Sequence, residues 1–283
     1  METPIKIAFL GPAGTYSDEA THIFMEKLDL EGTELVECVS FTEVFDNVER
    51  GRCDYGVVAT ENSLEGPVTA CLDNFANHPN VSILAETVLD IHHCLVLHPD
   101  ASVADITTII SHPQGLGQCR RYITENFPGR ATRSTSSTAD GVREIMEDKT
   151  CASIANSFAA KLYGAKVHEE EIEDHFGNQT SFALIARRGM PEIFDDEHTK
   201  KTSIVLSLRQ DKSGSLMMIL SEFAYAGINL TKIQSRPTKQ ALGDYMFFID
   251  FEGSVNDPDV QTALNCLRLK LREVKVLGSY PTI

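Results

Sequence analysis

A strand that ends in a polar turn decides the fold class of this 283-residue chain. The stretch reads Ile106-Thr107-Thr108-Ile109-Ile110-Ser111-His112-Pro113-Gln114-Gly115-Leu116-Gly117-Gln118-Cys119, and a helix-like segment follows at about 118–127. Proteins of the α/β class place ligand sites where strands end in this way. Pro113 restricts the backbone, and the two glycines let a small molecule approach the main chain closely. The turn indicates an α/β fold with a ligand site, although an ordinary strand-to-helix turn uses the same residue types.

Short apolar strands alternate with helical segments on both sides of this turn. The apolar runs predict strands at 5–10, 34–39, 55–60, 81–89, 92–98, 107–111, 130–134, 151–155 and 181–187. Helical spacing predicts helices at 17–28, 42–50 and 68–77. Such alternation is typical of βαβ units in a mainly parallel sheet. The number of strands indicates two lobes that share a cleft, with the ligand site in the cleft.

The character of the sequence changes after Arg188. Residues 189–201 are polar, contain a proline and read as a linker. Strands are predicted at 202–208, 228–234, 245–251 and 274–279. One helix is predicted to begin near 215, and a second helix is predicted at 259–271. In the first of these helices, apolar residues fall at helical spacing and Gly227 marks the end, so Met217 and Met218 are expected in the core. The order βαββαβ is that of a ferredoxin-like domain at 202–283.

Composition narrows the functional classes. The formal net charge of −16 disfavours nucleic-acid and anionic-membrane partners, which require a basic surface. No apolar stretch approaches the ~20 residues that span a bilayer, and Met1-Glu2-Thr3-Pro4 lacks a basic leader, so we expect a soluble cytoplasmic protein. The seven scattered cysteines indicate buried free thiols rather than disulfides or zinc ligands. His92-His93-Cys94 looks metal-like, but neighbouring side chains of a strand point to opposite faces, so no metal site is expected.

Four further polar segments lie next to predicted strands. Gly11-Pro12-Ala13-Gly14-Thr15-Tyr16-Ser17 follows the first strand and opens a helix, where free N–H groups can hold a carboxylate. It fits neither a dinucleotide fingerprint nor a Walker loop, and as an ordinary turn it would use Ser17 as the N-cap. The others are Thr60-Glu61-Asn62-Ser63-Leu64-Glu65-Gly66-Pro67, Ser134-Thr135-Ser136-Ser137-Thr138-Ala139 and Asn178-Gln179-Thr180-Ser181-Phe182.

Taken together, the segments GPAGTYS, TENSLEG, SHPQGLGQC, STSSTA and NQTSF resemble the prephenate dehydratase family over about residues 5–188. Residues 214–216 and the stretch NLTKIQSRP at 229–237 resemble an ACT regulatory domain. The resemblance implies a catalytic domain at 1–188, shaped like a two-lobed periplasmic binding protein. Lobe one would span about 1–88 and 180–188, lobe two about 92–178, and the linker 189–201. It further implies conversion of prephenate to phenylpyruvate, water and carbon dioxide without a cofactor, under feedback control by L-phenylalanine.

The resemblance also implies roles for individual residues. Thr180 would donate a hydrogen bond to the leaving hydroxyl, and either Glu61 or His112 would supply the proton. The residues expected to anchor the substrate are Thr15, Asn62, Ser63, Ser111, Gln114, Ser136 and Ser137. The residues expected to bind phenylalanine between paired ACT domains are Gly214, Ser215, Leu216, Asn229, Leu230, Gln234 and Ser235. A homodimer or homotetramer follows from that pairing.

Two positions depart from the family pattern. The family's NxTRF has arginine where this chain has Ser181, so a guanidinium expected to pair with a substrate carboxylate is missing, and another cation would have to replace it. The family's ESRP reads QSRP here, with Gln234 in place of glutamate. Amide and carboxylate oxygens both accept hydrogen bonds, so effector binding is expected to survive.

Other functions remain open at this stage. Arogenate dehydratases share the same plan, so the sequence does not separate arogenate from prephenate as the substrate. A non-catalytic amino-acid sensor would also combine a two-lobed cleft with an ACT-like tail, and the missing arginine is its best support. An amino-acid kinase is disfavoured because no phosphate loop followed by lysine is present.

Overall fold

The computed structural model of the protein describes residues 4–30, 32–190, 201–210, 212–239 and 244–283. The chain begins with β1 (Lys6–Leu10), α1 (Tyr16–Lys27), β2 (Glu34–Cys38), α2 (Phe41–Glu49), β3 (Tyr55–Asn62), β4 (Gly66–Pro67), α3 (Thr69–Asn77) and β5 (Val81–Asp90). It continues with β6 (Cys94–Leu97), a 3₁₀ turn (Val103–Asp105), β7 (Thr108–Ser111), α4 (Pro113–Gln118), α5 (Arg120–Asn126), β8 (Ala131–Ser134), α6 (Thr138–Ile145), β9 (Cys151–Ala155), α7 (Ser157–Tyr163), β10 (Lys166–Glu169) and β11 (Gln179–Arg187). The last elements are β12 (Lys201–Ser207), α8 (Ser215–Tyr225), β13 (Leu230–Pro237), β14 (Tyr245–Glu252), α9 (Pro258–Lys270) and β15 (Glu273–Tyr280).

The strands form three sheets. Lobe one (residues 4–90 and 179–190) contains a six-stranded sheet in the order β2-β1-β3-β11-β5, with β4 paired to β3. Lobe two (residues 91–178) contains a five-stranded sheet in the order β10-β6-β9-β7-β8. The C-terminal domain (residues 201–283) contains a four-stranded sheet in the order β13-β14-β12-β15.

The prediction of mainly parallel sheets is wrong. In lobe one, β1 is parallel to β2 and β3, but β11 is antiparallel to both β3 and β5. In lobe two, β7 is parallel to β8 and β9, whereas β6 is antiparallel to β9 and β10. The physical reason lies in the path of the chain: it leaves lobe one after β5 and returns in β11 beside that exit, where Gln179 pairs with Asp90. Because the chain re-enters lobe one beside the end of β5, the returning strand β11 runs antiparallel to β5.

Several element boundaries also differ from the sequence-based expectation. Thr15, not Ser17, caps α1, because its side chain accepts the hydrogen bond from Asp18 N. The turn after β7 is already helical from Pro113, which is favoured at a first helical position. Helix α7 and strand β10 were not predicted. Most of the predicted linker, 191–200, lies outside the described residues, and Lys201 belongs to β12.

The C-terminal domain has the predicted element order, and the central strands of its sheet are covered on both faces. One face carries Ile204, Leu206 and Ile249 and packs on α8 and α9. The other face packs on lobe one, where Val205, Phe248 and Leu277 share a core with residues of α2 and α3. The close approach is visible at Gly278 of β15, where a Cβ atom would stand 2.2 Å from Ile83 O of β5. Only glycine fits there, so this domain is packed directly against lobe one.

The burial pattern of single side chains follows from these contacts. Met217 is 70% exposed, so its prediction as a core residue is wrong, while Met218 packs against the core as expected. Six of the seven cysteines are buried free thiols, and Cys266 is partly exposed. Glu169, Glu170 and Glu171 are exposed. No helix within the described ranges is both long and apolar enough to cross a membrane.

Candidate active site

A cavity of about 790 Å³ lies between the two lobes. Lobe one lines it with the residues that follow β1, the end of β3 and the start of α3, and lobe two lines it with the turn after β7 and the start of α6. Apolar residues such as Val39, Ile91 and Phe182 alternate with polar ones. The predicted strand exits therefore meet at one place, as expected for an α/β protein.

Thr180 lies in β11 on the cavity wall and is 8% exposed. Asn62 ends β3, pairs with Thr180 in register and donates from Nδ2 to Thr180 Oγ1 at 2.9 Å. The N–H groups of Leu64 and Glu65 donate to Asn62 Oδ1, each at 3.0 Å. These bonds fix the orientation of the amide, so that its nitrogen faces Thr180. Since the Thr180 oxygen accepts this bond, its hydrogen is available to donate into the cavity.

His93 lies where the chain passes from lobe one to lobe two, and it is 3% exposed. Its Nδ1 lies 3.2 Å from the Tyr16 hydroxyl of α1, and its Nε2 lies 2.7 Å from Gln118 Oε1 of α4. Burial lowers the pKa of His93, so the ring is neutral at pH 7. All three residues line the cavity, and their hydrogen bonds connect lobe one to lobe two.

The two chain segments that connect the lobes add further polar contacts next to His93. Asn178, on the return connection, accepts from Asn62 Nδ2 at 2.7 Å and approaches Gln118 Oε1 at 3.5 Å. On the outgoing connection, His92 contacts the Glu173 carboxylate at 2.8 Å, and Glu173 also accepts from His93 N at 2.9 Å. The side chains of His92 and His93 thus reach different partners, but the predicted strand 92–98 begins only at Cys94, so alternation along a strand is not the reason. Within the described ranges no cluster of three metal-ligating side chains occurs.

Gln118 retains a free donor. Its Nε2 is buried and has no hydrogen-bond partner among the described residues, while its Oε1 is held by His93. A buried donor without a partner costs free energy, and a ligand oxygen in the cavity would remove that cost. Gln118 is therefore a candidate substrate contact.

The electrostatics of the cavity come from helices rather than cations. The described residues that line it include no lysine or arginine. Instead, the first turns of α1, α3 and α6 all reach the cavity. The N-terminus of a helix carries a partial positive charge and unpaired N–H groups, so it attracts anions. Three such ends favour an anionic ligand without a formal positive charge.

The structure brings most of the predicted site residues together. Those that line the cavity are Thr15, Asn62, His112, Gln114, Ser136, Ser137 and Thr180. Some of their hydroxyls are already used within the protein: Thr15 donates to Leu10 O at 3.0 Å as the cap of α1, and Ser136 bonds to Asp140. Ser137 caps α6 by accepting from Asp140 N at 3.0 Å, so its own hydrogen stays available.

Three predicted residues do not line the cavity. Ser111 is completely buried and donates to Ile154 O at 2.6 Å, so it supports the turn rather than the substrate. Ser63 is exposed and bonds to the backbone of Gly177 and Gln179. Glu61 points away and forms an ion pair with Lys232 of the C-terminal domain, Nζ to Oε2 2.7 Å. The register of β3 against β11 shifts between Ala59 and Glu61, so Ala59 and Asn62 both line the cavity while Glu61 points away.

Position 181 also faces away from the cavity. Ser181 pairs with Glu61 in register, and residues opposite each other on neighbouring strands share a face. Thr180 and Phe182 on either side of it line the cavity. The expectation that an arginine here would meet the substrate is therefore not supported by the geometry, since its side chain would start beside Glu61.

Sequence reasoning missed Tyr16, His93, Gln118 and Asn178. Tyr16, Gln118 and Asn178 lie within the polar segments that were singled out, but no role was assigned to them. His93 was weighed only as a metal ligand. Its place next to the predicted border between the lobes was the signal that could have found it.

The predicted effector residues surround α8 and β13 of the C-terminal domain. Gly214 (φ 88°) precedes α8, Ser215 and Leu216 begin it, and Leu216 is 39% exposed. Asn229 donates to Glu252 Oε1 at 2.9 Å, and Leu230 begins β13. Gln234 Nε2 donates to Ser235 O at 3.1 Å. Strand β13 lies at the edge of its sheet, and no described strand pairs with its outer side.

Fold and site together define a two-lobed α/β protein with an interlobe cavity that helix N-termini reach, and with an additional α/β domain. The sequence model described as "Prephenate dehydratase" matches residues 7–190. The chain therefore belongs to the prephenate dehydratase family.

Individual relatives agree with this membership. A prephenate dehydratase of Methanocaldococcus jannaschii is 39% identical over 272 residues, which cover 95% of this chain and 96% of the relative. The solved structure of an Arthrobacter aurescens prephenate dehydratase in complex with L-Phe is 34% identical with a TM-score of 0.88, over 98% of this chain and 90% of that one. A solved structure described as GqqA, a novel type of quorum quenching acylase, is 28% identical with a TM-score of 0.85, over 98% of each chain. The same fold thus carries another named activity, so function has to be argued from the site.

Proposed function

We propose that this protein is a prephenate dehydratase, which converts prephenate to phenylpyruvate, water and carbon dioxide. The observation that carries the proposal is the hydrogen bond from Asn62 Nδ2 to Thr180 Oγ1 on the cavity wall, which leaves the Thr180 hydroxyl able to donate into the cavity. In the reaction the ring carboxylate leaves as carbon dioxide, its bonding electrons make the ring aromatic, and the ring hydroxyl leaves with one proton as water. Thr180 stabilises the departing oxygen by a hydrogen bond that strengthens as the C–O bond breaks.

The dianionic substrate is held by dipoles and neutral donors. The first turns of α1, α3 and α6 supply partial positive charge, and Gln118 Nε2 and the Ser137 hydroxyl supply hydrogen bonds. Neutral donors suit this reaction, because the ring carboxylate must lose its charge when carbon dioxide departs. A formal cation paired with that carboxylate would stabilise the ground state more than the transition state.

His112 is the better of the two proposed proton sources. It lines the cavity, whereas Glu61 is paired with Lys232 on the opposite face of β3. The N–H of Gln114 donates to His112 Nδ1 at 3.3 Å, which leaves Nε2 to carry the proton. A His112→Gln variant should lower kcat at neutral pH, while Glu61→Gln should leave the pH dependence of kcat unchanged.

The first test is the rate of phenylpyruvate formation by the purified protein, with and without phenylalanine. Turnover of prephenate supports the proposal. Absence of turnover of both prephenate and arogenate, with phenylalanine still bound tightly, would support the non-catalytic sensor instead.

Arogenate dehydration is the second candidate, and one residue favours testing it. Arogenate carries an ammonium group where prephenate has a keto group, and Glu65 is a carboxylate that lines the cavity. If arogenate is the substrate, Glu65→Gln should raise its KM and leave the KM for prephenate unchanged. The same shift for both substrates would remove this reason for considering arogenate.

The C-terminal domain is proposed to be an ACT regulatory domain that binds L-phenylalanine between two copies of the chain. Its support is a set of exposed apolar side chains in α8, β13 and β14, with fractional exposures from 39% to 88%. They are Leu216, Met217, Tyr225, Ile233 and Tyr245. Pairing through α8 and the free edge of β13 would cover them and produce a homodimer or homotetramer.

A further inference from the structure

Strand β13 of the C-terminal domain, with Lys239 just after it, is tied to elements of the cavity wall by three ion pairs. Lys232 Nζ lies 2.7 Å from Glu61 Oε2 of β3. Arg236 forms a fork on Asp73 of α3, with Nη2 at 2.8 and 2.9 Å from its two oxygens, and Lys239 Nζ lies 2.7 Å from the same carboxylate. Although burial of Asp73 raises its pKa, the bonds from Lys239 and Arg236 outweigh this and lower it. The carboxylate is therefore ionised and paired at neutral pH.

Both acidic partners stand on elements that line the cavity. Glu61 is the neighbour of Asn62, whose amide fixes the Thr180 hydroxyl. Asp73 belongs to α3, whose first residues, Thr69 and Ala70, line the cavity. A displacement of β13 would therefore reach both the hydrogen-bond donor and one of the helix ends that attract the substrate.

The Lys232 pair is well placed to transmit such a displacement. The side chain of Lys232 is only 16% exposed, whereas that of Glu61 is 44% exposed, so Lys232 is the more restricted partner of the pair. Ser181 lies beside Glu61 on the same face of the sheet, and it contributes no charge. At this face, among the described residues, Lys232 is the cation paired with Glu61.

We propose that Lys232 is a positioning residue: through Glu61 it holds the end of β3 so that Asn62 aligns Thr180, and it couples the C-terminal domain to catalysis. This inference rests on the proposed function and deepens it, because it names the contact by which an effector bound at β13 changes the rate. Lys232 does not line the cavity, so its effect on the reaction passes through Glu61 and Asn62.

The test compares Lys232→Met with Lys270→Met. Lys270 pairs with Glu222 inside the C-terminal domain, so its variant removes an ion pair of the same type without reaching lobe one. Lys232→Met should lower kcat by about 5-fold or more with KM nearly unchanged, and saturating phenylalanine should inhibit the variant by a several-fold smaller factor than it inhibits the wild type. Phenylalanine binding, measured by calorimetry, should stay close to that of the wild type. Lys270→Met should match the wild type in every readout.

Rescue separates positioning from a general loss of structure. The exchanged pair Lys232→Glu with Glu61→Lys should recover most of the rate and of the inhibition. Ser181→Arg in the Lys232→Met background should do the same, because the guanidinium would start beside Glu61 on that face. Kinetics and inhibition of Lys232→Met equal to those of Lys270→Met would overturn the inference and leave the proposed function intact.

A readout independent of turnover distinguishes failure of the proposed coupling from failure of the proposed function. If the wild type converts no prephenate, the proposed function fails, and amide hydrogen exchange in β3 and β11 is measured with and without phenylalanine. Exchange that responds in the wild type and Lys270→Met but not in Lys232→Met supports the coupling. An identical response in all three proteins overturns it.

Discussion

Replacing Thr180 by valine tests the catalytic role of its hydroxyl at nearly constant shape. Valine keeps the branched side chain and removes only the donor, at a site that is 8% exposed. If the hydroxyl stabilises the departing oxygen, kcat should fall by ~10²-fold or more, which corresponds to about 2.7 kcal/mol of transition-state stabilisation. Thr180→Ser retains the donor and should keep much of the activity.

The same structure predicts a much smaller effect on folding. Asn62 Nδ2 loses Thr180 Oγ1 but keeps Asn178 Oδ1 at 2.7 Å and Gln179 O at 3.2 Å, so no buried donor is left unpaired. The free energy of unfolding should therefore fall by only about 1 kcal/mol. Phenylpyruvate formation at saturating prephenate and urea unfolding followed by circular dichroism measure the two quantities. Equal kcat values for the valine and serine variants would refute the assigned role, and so would a loss of activity fully explained by unfolding.

Three further outcomes are expected. Gln118→Glu places an acceptor and a negative charge where the free amide donor stands, so KM for prephenate should rise by ~10-fold or more, and an unchanged KM would remove Gln118 from substrate binding. Burial and the nearby Arg188 lower the pKa of Lys275 from 10.5 to about 8. Between these two pH values the unfolded chain binds more protons than the folded protein, so the free energy of unfolding should rise with pH. Urea unfolding should show a shallower rise for Lys275→Met than for the wild type, and equal slopes would contradict Lys275 as the cause. Met217→Glu should shift the mass measured by sedimentation equilibrium toward that of the monomer. Phe176→Glu, at an equally exposed position of lobe two, should leave this mass unchanged. The same measured mass for both variants would count against pairing through α8.

The sequence by itself determined the α/β class, the element order of the C-terminal domain and much of the cavity. These features are local: a run of apolar residues that ends in Ser, Pro, Gly and Asn forms a strand and a turn wherever it lies in the chain. The polar segments of the two sheets face each other across the interlobe cavity, so Asn62, His112, Ser137 and Thr180 came together as predicted. The family signature rests on the same short segments.

The tertiary structure alone decided which face each side chain takes and which distant residues meet. Glu61 and Asn62 are neighbours in sequence, yet one contacts Lys232 and the other Thr180, because side chains alternate along a strand and the register fixes the face. The direction of β11 depended on how lobe two returns to lobe one. Likewise, His93 meets Tyr16 and Gln118 only because two lobes close around it. Contacts of this kind depend on packing between elements far apart in the chain, which no local pattern specifies.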